Sequence, residues 1–225
     1  MRPKICLNMI VKNEAHVIRR CLDSLRPVID TWVIVDTGSS DGTQDIIRAH
    51  MKDVPGTLFE RPWRNFGHNR TEALELARDT ADYLLVFDAD DVLTLPPGFA
   101  MPQLTRDAYA LAMQLGTTAY WRTSLVSTRL AWRYVGVLHE YLDCGSPFNQ
   151  ERLAGPGIIA GIDGGRGRGL DVAAKYARDA RILEQALIDE PDNARYVFYL
   201  AQSYRDSGQL QKSLEAYQRR AAMGG

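Results

Sequence analysis

Apolar positions in this chain come first as short continuous runs and then as spaced faces, in regular alternation. Lys4 to Val11 is a largely apolar run ending at Lys12-Asn13-Glu14, which predicts a strand covered on both sides. Val17, Ile18, Cys21, Leu22 and Leu25 follow at helical spacing, and Pro27 closes that segment. Thr31 to Val35 predicts a second buried strand, which runs into Asp36-Thr37-Gly38-Ser39-Ser40-Asp41-Gly42-Thr43 and then a helix carrying Ile46 and Ile47. Thr57 to Phe59 predicts a short third strand, and Asn69 to Arg78 a helix that buries Ala73, Leu74 and Ala77. Tyr83 to Phe87 predicts a fourth strand, delivering Asp88, Asp90 and Asp91 to the point where the chain must leave the sheet. Strand and helix in alternation imply βα units, a mostly parallel central sheet and the α/β class.

After Leu95 the pattern changes. Pro96, Pro97 and Pro102 interrupt the alternation, and Ala108 to Leu115 predicts a strand. Tyr120 to Thr128 and Leu130 to Leu142 are rich in aromatic and β-branched residues, which suggests antiparallel or mixed pairing. Gly161 to Gly169 holds five glycines around Arg166 and Arg168, either a plain linker or a flexible anion-binding lid. Helical spacing returns from Leu170. Leu200, Ala201, Tyr204, Gly208 and Tyr217 fall at positions that resemble a tetratricopeptide hairpin, with Val197 and Ser213 in place of its usual aromatic and alanine. Pro191 sits where a preceding repeat would end. A hairpin and a half cannot bury its own face. The segment 170–225 is therefore expected either to dock on residues 1–169 or to continue beyond Gly225, with a protein partner as a further possible occupant.

Composition narrows the function classes. A formal net charge of -1 over 225 residues argues against a general nucleic-acid binder, which needs a basic excess. No apolar run approaches membrane-spanning length. Cys6, Cys21 and Cys144 are odd in number and lack metal-ligand spacing. Two of them fall on apolar faces, as reduced core thiols of a cytoplasmic protein do.

The candidate chemistry lies where strands end. In open α/β sheets ligands sit outside the carboxyl ends of the strands. Three carboxylates crowded there repel unless something positive arrives, and a hard divalent cation carrying a diphosphate is one candidate; a solvated acidic turn is the other. Asp36 ends a strand where it can accept from a uracil imide or a ribose hydroxyl. Ser39, Asp41 and Thr43 form a polar turn that either contacts a ligand or caps the following helix. Asn13 and Glu14 either line the same cleft or, for Glu14, favour the next helix electrostatically. Arg70, Arg166 and Arg168 either offset diphosphate charge or are solvated surface residues.

Asn13-Glu14 after the first strand, Val35 to Thr43 after the second and Asp88-Ala89-Asp90-Asp91 after the fourth occur in an order and spacing similar to a family-2 glycosyltransferase of the GT-A fold. Where that family carries Ala-Arg-Asn, this chain has His68-Asn69-Arg70. Gly136-Val-Leu-His-Glu140 is like a segment of some members, a subgroup that often carries repeats of the tail's kind. The resemblance implies a Rossmann-like GT-A domain at 1–169, divided into a nucleotide-binding half (1–95) and an acceptor half (96–169).

The resemblance further implies a metal-dependent, inverting transfer from a nucleotide-diphosphate sugar, UDP-linked, to a glycan, lipid-linked or protein acceptor. Asp90 is implied as direct ligand of Mn2+ or Mg2+, Asp88 as a ribose or water-mediated contact, and His139 as a third ligand. Glu140 and Asp91 are the two candidate bases for the acceptor hydroxyl, with Glu140 preferred because it comes from the acceptor side. Trp63, Trp121 and Trp132 either stack on sugars or fill cores. Two rivals remain: a nucleotidyltransferase, although Ile10 to Glu14 lacks the glycine such a phosphate loop needs, and a catalytically silent adaptor working through its tail.

Overall fold

The computed structural model describes residues 2–165 and 171–224. Arg166 and Arg168 lie outside them. The expected βα alternation is present: β1 (Ile5–Val11), α1 (Ile18–Leu25), β2 (Thr31–Asp36), α2 (Thr43–His50), β3 (Gly56–Glu60), α3 (Phe66–Ala77) and β4 (Tyr83–Val86) follow in turn. Then come β5 (Val92–Thr94), β6 (Ala108–Leu115), β7 (Thr118–Ser127), β8 (Arg133–Val135), β9 (Tyr141–Asp143) and β10 (Gln150–Ile159). One eight-stranded sheet runs β3-β2-β1-β4-β7-β6-β10-β5, while β8 and β9 form a separate hairpin. The β3-β2-β1-β4 portion is parallel and β7 joins β4 antiparallel, so both expected halves share one sheet.

Two-residue periodicity decides what covers each face. Ile5, Leu7, Met9 and Val11 of β1 share a buried cluster with Ile18, Leu22 and Leu25 of α1 and Ile47 of α2. Cys6 points the other way, into a cluster with Val33 and with Leu74 and Ala77 of α3. The strands are thus covered on both sides, as continuous apolar runs require. Asn8, buried on the α3 side, donates to the Ala73 carbonyl at 2.7 Å, so its polar group is not left unpaired.

Two differences from the sequence expectations have local causes. α3 begins at Phe66, not Asn69, because the Asn65 side chain accepts the His68 N–H at 2.8 Å and caps the first turn. β10 was not anticipated: Gly155, Pro156 and Gly157 disguise it, and its register against β6 shifts between Arg152 and Gly157. Leu130 to Leu142 pairs antiparallel, as expected, in the short β8–β9 hairpin joined by a loop that includes Gly136 (φ 111) and His139 (φ 51).

The tail forms α4 (Val172–Asp189), α5 (Ala194–Asp206) and α6 (Leu210–Ala222). α4 packs on α5 and α5 on α6. Their core of Leu183, Tyr196, Val197, Leu200, Ala201 and Tyr204 also contains Leu138, with Val137 and Phe66 against it. The tail therefore docks on the α/β part through the loop between β8 and β9. No described helix is long and apolar enough to cross a membrane.

Candidate active site

Parallel pairing of β1 with both β2 and β4 brings three strand ends side by side. After β1 the chain turns through Asn13, whose φ of 58 is a left-handed conformation that Asn tolerates. Asn13 N–H donates to Ser39 Oγ at 2.9 Å, and Asn13 Oδ1 accepts the Ser40 N–H at 2.8 Å. Glu14 N–H donates to Thr43 Oγ1 at 2.8 Å. Asp41 accepts from Thr43 N–H and Oγ–H and from Ala15 N–H. Burial pushes its carboxyl up, but these hydrogen bonds outweigh that and hold it below its ordinary value. The structure thus joins Asn13, Glu14, Ser39 and Asp41 in one network that braces two strand ends.

Asp36 sits at the base of that network, 1% exposed. Its Oδ1 accepts from Gly38 N–H at 2.9 Å, Ser39 N–H at 2.8 Å and Gln44 Nε2 at 3.0 Å. Its Oδ2 is buried with no hydrogen-bond partner among the described residues. An acceptor in that condition is uncommon in folded proteins and suits an incoming donor.

Strand geometry, if it persisted one more step, would carry Asp88 and Asp90 to one side. It does not continue. β4 stops at Val86, and Asp91 N–H donates to the Asp88 carbonyl at 3.2 Å, closing a turn that sends the carboxylates apart. Asp88 is gripped by Arg70 on Oδ1 and by Arg122 at 3.0 Å on Oδ2. Burial pushes its carboxyl up, yet the two guanidinium groups win and hold it well below its usual range. Asp91, with its side chain 4% exposed, takes the other Arg122 nitrogen at 3.0 Å and the Gly161 N–H at 3.0 Å. Burial, then the Asp88 charge, push it up to about 6.

Asp90 is left facing a different partner. It accepts the Gly164 N–H at 3.2 Å, and burial followed by the nearby Asp88 charge raises its carboxyl above the ordinary value. The adjoining Gly165 N–H donates to both Glu14 oxygens at 3.0 Å, and burial pushes Glu14 up to about 7. Only glycine fits this close approach: a Cβ at position 161 would lie 2.3 Å from the Asp90 carbonyl oxygen, and one at 164 would lie 2.7 Å from Asp90 Oδ2.

A cavity of about 360 Å³ opens beside Asp88, lined by Arg70, Trp121, Arg122, Tyr134, Glu140 and Tyr141 among others. Arg70 Nε lies 2.9 Å from Glu140 Oε1. Among the described residues Nε has no hydrogen-bond partner, so this is a charge contact off the N–H axis. The Arg70 guanidinium also sits 5.3 Å from the Tyr134 ring centre, whose hydroxyl burial pushes up to about 12. Of the three tryptophans singled out, Trp121 lines the cavity, Trp132 is buried edge-on to Phe148, and Trp63 packs edge-on to Phe66.

His139 is not gathered with Asp88 and Asp90. Among the described residues no three His, Cys, Asp or Glu side chains are grouped to hold a metal ion. Its ring instead stacks on Tyr199 of α5 at 3.9 Å between centres. Sequence reasoning missed Arg122. It lies midway along a strand that is exposed at its start and buried at its end, and it follows no motif; only the need to neutralise three adjacent carboxylates pointed to a partner of its kind.

The parallel strand ends, the polar turn after β2 and the cavity beyond β4 are arranged as in an α/β domain of the GT-A fold. Residues 6–96 match the family model described as Glycosyl transferase family 2. The matched segment is the one whose strand-end motifs carry the resemblance. The chain is 25% identical to the SPbeta prophage-derived glycosyltransferase SunS of Bacillus subtilis over 229 residues, 95% of this chain and 51% of that protein. It is 32% identical over 149 residues to a TPR repeat-containing protein of Synechococcus elongatus, covering 62% of this chain and 36% of the relative. The chain thus spans about half the length of these curated relatives, or less. In fold it is similar to the crystal structure of S. aureus TarS, with a TM-score of 0.51, 14% identity, and coverage of 89% of this chain and 42% of that one.

Proposed function

We propose that this chain transfers a sugar, with inversion, from a UDP-linked donor to a glycan, lipid-linked or protein acceptor, assisted by Mn2+ or Mg2+. The observation that carries this reading is the orphaned Oδ2 of Asp36, buried at the end of β2 at the base of the Asn13–Ser39 network. A ribose hydroxyl or uracil imide would satisfy that oxygen. The strand-end position suits the diphosphate beside it.

For the cation, Asp90 is the residue that would hold it, since Asp88 is committed to two arginines. Magnesium sites commonly use one or two carboxylates and complete the shell with phosphate oxygens and water, which one Asp fits. A cation bound there supplies electrostatic stabilisation to the departing diphosphate. His139 has no part in it. Arg70 and Arg122 add fixed positive charge on the cavity side of Asp88, preorganised by their carboxylate partners.

Glu140 lines the cavity and Asp91 does not, which favours Glu140 as the base that takes the acceptor proton. Asp91 instead anchors Arg122. Trp121, 42% exposed at the cavity, offers a flat face to a sugar ring.

The test is release of UDP from a panel of UDP-sugars, measured with Mn2+ and with chelator, on the wild type and on Asp90→Ala. Cation-dependent release that vanishes in a normally folded Asp90→Ala variant is expected. Release indifferent to both chelator and the substitution sinks the cation assignment, and no release from any UDP-sugar sinks the donor assignment.

A further inference from the structure

The loop that carries Glu140 is held from the tail, residue by residue. Val137 N–H donates to the Tyr196 hydroxyl at 3.2 Å. Leu138, 1% exposed, is buried in the tail's own apolar cluster. His139 stacks on Tyr199 with rings 12° from parallel, and its carbonyl accepts from Arg195 at 2.6 Å. The Arg195 guanidinium then lies between two rings, 4.9 Å from the centre of Tyr199 and 5.0 Å from that of Tyr141. Residues 137, 138, 139 and 141 are thus all tied to α5, and Glu140 alone among 137–141 turns to Arg70 of α3.

The backbone explains why so many ties converge. His139 has φ 51, a left-handed conformation that a side chain with a Cβ rarely adopts outside glycine. Such a residue persists where its surroundings over-determine it, and these residues cluster at active sites and ligand clamps. Across this turn Glu140 faces the cavity, His139 contacts the tail, and Tyr141 borders both.

The structure assigns Arg195 and Tyr199 as positioning residues for the reaction: from the helical tail they fix the His139 backbone and so aim Glu140 at the acceptor side of the cavity. This rests on the reading of Glu140 as the base. It makes the tail part of the catalytic apparatus, with a task separate from any partner binding. Arg195 is an exposed side chain, so its removal opens no core, whereas the buried Val197, Leu200 and Ala201 carry the packing of α5.

The experiment compares the full chain with Arg195→Ala, Arg195→Lys and Tyr199→Leu. UDP release from the UDP-sugar panel gives kcat and donor KM, thermal melts give stability, and amide hydrogen exchange reads the segment 136–141. The expected result for Arg195→Ala is a fall in kcat of about 10- to 100-fold, the scale of a misplaced catalytic group, with donor KM and melting temperature little changed. Arg195→Lys, which keeps a cationic donor near the His139 carbonyl, should recover much of that loss. Exchange in 136–141 should quicken in Arg195→Ala and Tyr199→Leu. Unchanged exchange overturns the proposal whether or not the protein turns over. Quickened exchange with wild-type kcat overturns it too, leaving a structural brace only. A wild type that releases no UDP from any donor removes the base reading and this proposal's catalytic half with it, an outcome distinct from intact turnover with an indifferent Arg195.

Discussion

Arg122 reaches Asp91 at 3.0 Å with one terminal nitrogen while the other holds Asp88 at the same distance, so a single side chain of β7 ties both ends of the turn after β4. Asp91 is nearly inaccessible and already pushed up to about 6. Removing Arg122 strands that carboxylate without its cation and leaves Asp88 with Arg70 alone. Arg122→Ala is expected to lower unfolding free energy by about 3 kcal/mol, at the low end for a broken buried pair because Arg122 is partly exposed. Urea unfolding at neutral pH measures it. A loss no larger than that of an ordinary surface substitution would show that the turn holds itself.

Gly67 and Gly136 set the spacing between α3 and the loop that carries Glu140. A Cβ on Gly67 would stand 2.3 Å from the Gly136 carbonyl oxygen, a contact with backbone that no rotamer change relieves. Gly67→Ala should therefore push the loop from the helix, costing about 1–3 kcal/mol as overpacking does. It should also weaken the Arg70–Glu140 contact, so UDP release should fall further than the stability loss alone explains. Turnover assayed well below the variant's melting temperature separates the two effects. Wild-type turnover there would mean that the spacing does not matter to the reaction.

Much of this fold was legible because burial on both faces writes strands as apolar runs, and β1, β2, β4 and β6 all appear within a residue or two of where the runs place them. The polar turn from Asp36 to Thr43 was legible for a similar reason: few roles other than capping or ligand contact suit so many small polar residues at a strand end. What was illegible depends on contacts between distant segments. Nothing near Asp88 in sequence signals that Arg70 and Arg122 will take both its oxygens. Nothing near His139 signals a stacking partner sixty residues on, in Tyr199. The bulged β10 hides because the glycines and proline that allow its register shift are the residues that argue against a strand.

Asp36 offers a direct check on the network beneath the candidate donor site. Asp36→Ala removes the acceptor of three donors, from Gly38, Ser39 and Gln44. About 1–3 kcal/mol of stability should be lost, the usual consequence of leaving buried donors unpaired. Asp36→Asn keeps an amide oxygen in the Oδ1 position and should lose less, yet it places an N–H where Oδ2 now waits for a donor. Calorimetric titration with UDP should then show binding lost in Asp36→Asn at nearly native stability. Undiminished UDP affinity in that variant would remove Asp36 from the donor site.

Glu14 makes stability fall with rising pH. Its carboxyl is pushed up to about 7 from an ordinary 4.5, chiefly by burial, so between those values the folded chain holds a proton that the unfolded chain has released. Unfolding free energy falls with pH wherever the native state binds more protons. The Glu14 contribution is therefore most favourable below about 4.5 and is lost as pH rises through about 7. Asp88 works in the opposite sense and lower down: held below its usual range by Arg70 and Arg122, it stabilises above its unfolded value and fails only on acidification. Glu14→Gln cannot ionise but still offers an oxygen to the Gly165 N–H. Its stability relative to wild type should accordingly improve between about pH 5 and pH 8, read from urea midpoints at each pH. Parallel pH curves for the two proteins would show that the Glu14 carboxyl titrates in the folded chain as it does in the unfolded one, and that its burial against Gly165 is not maintained in solution.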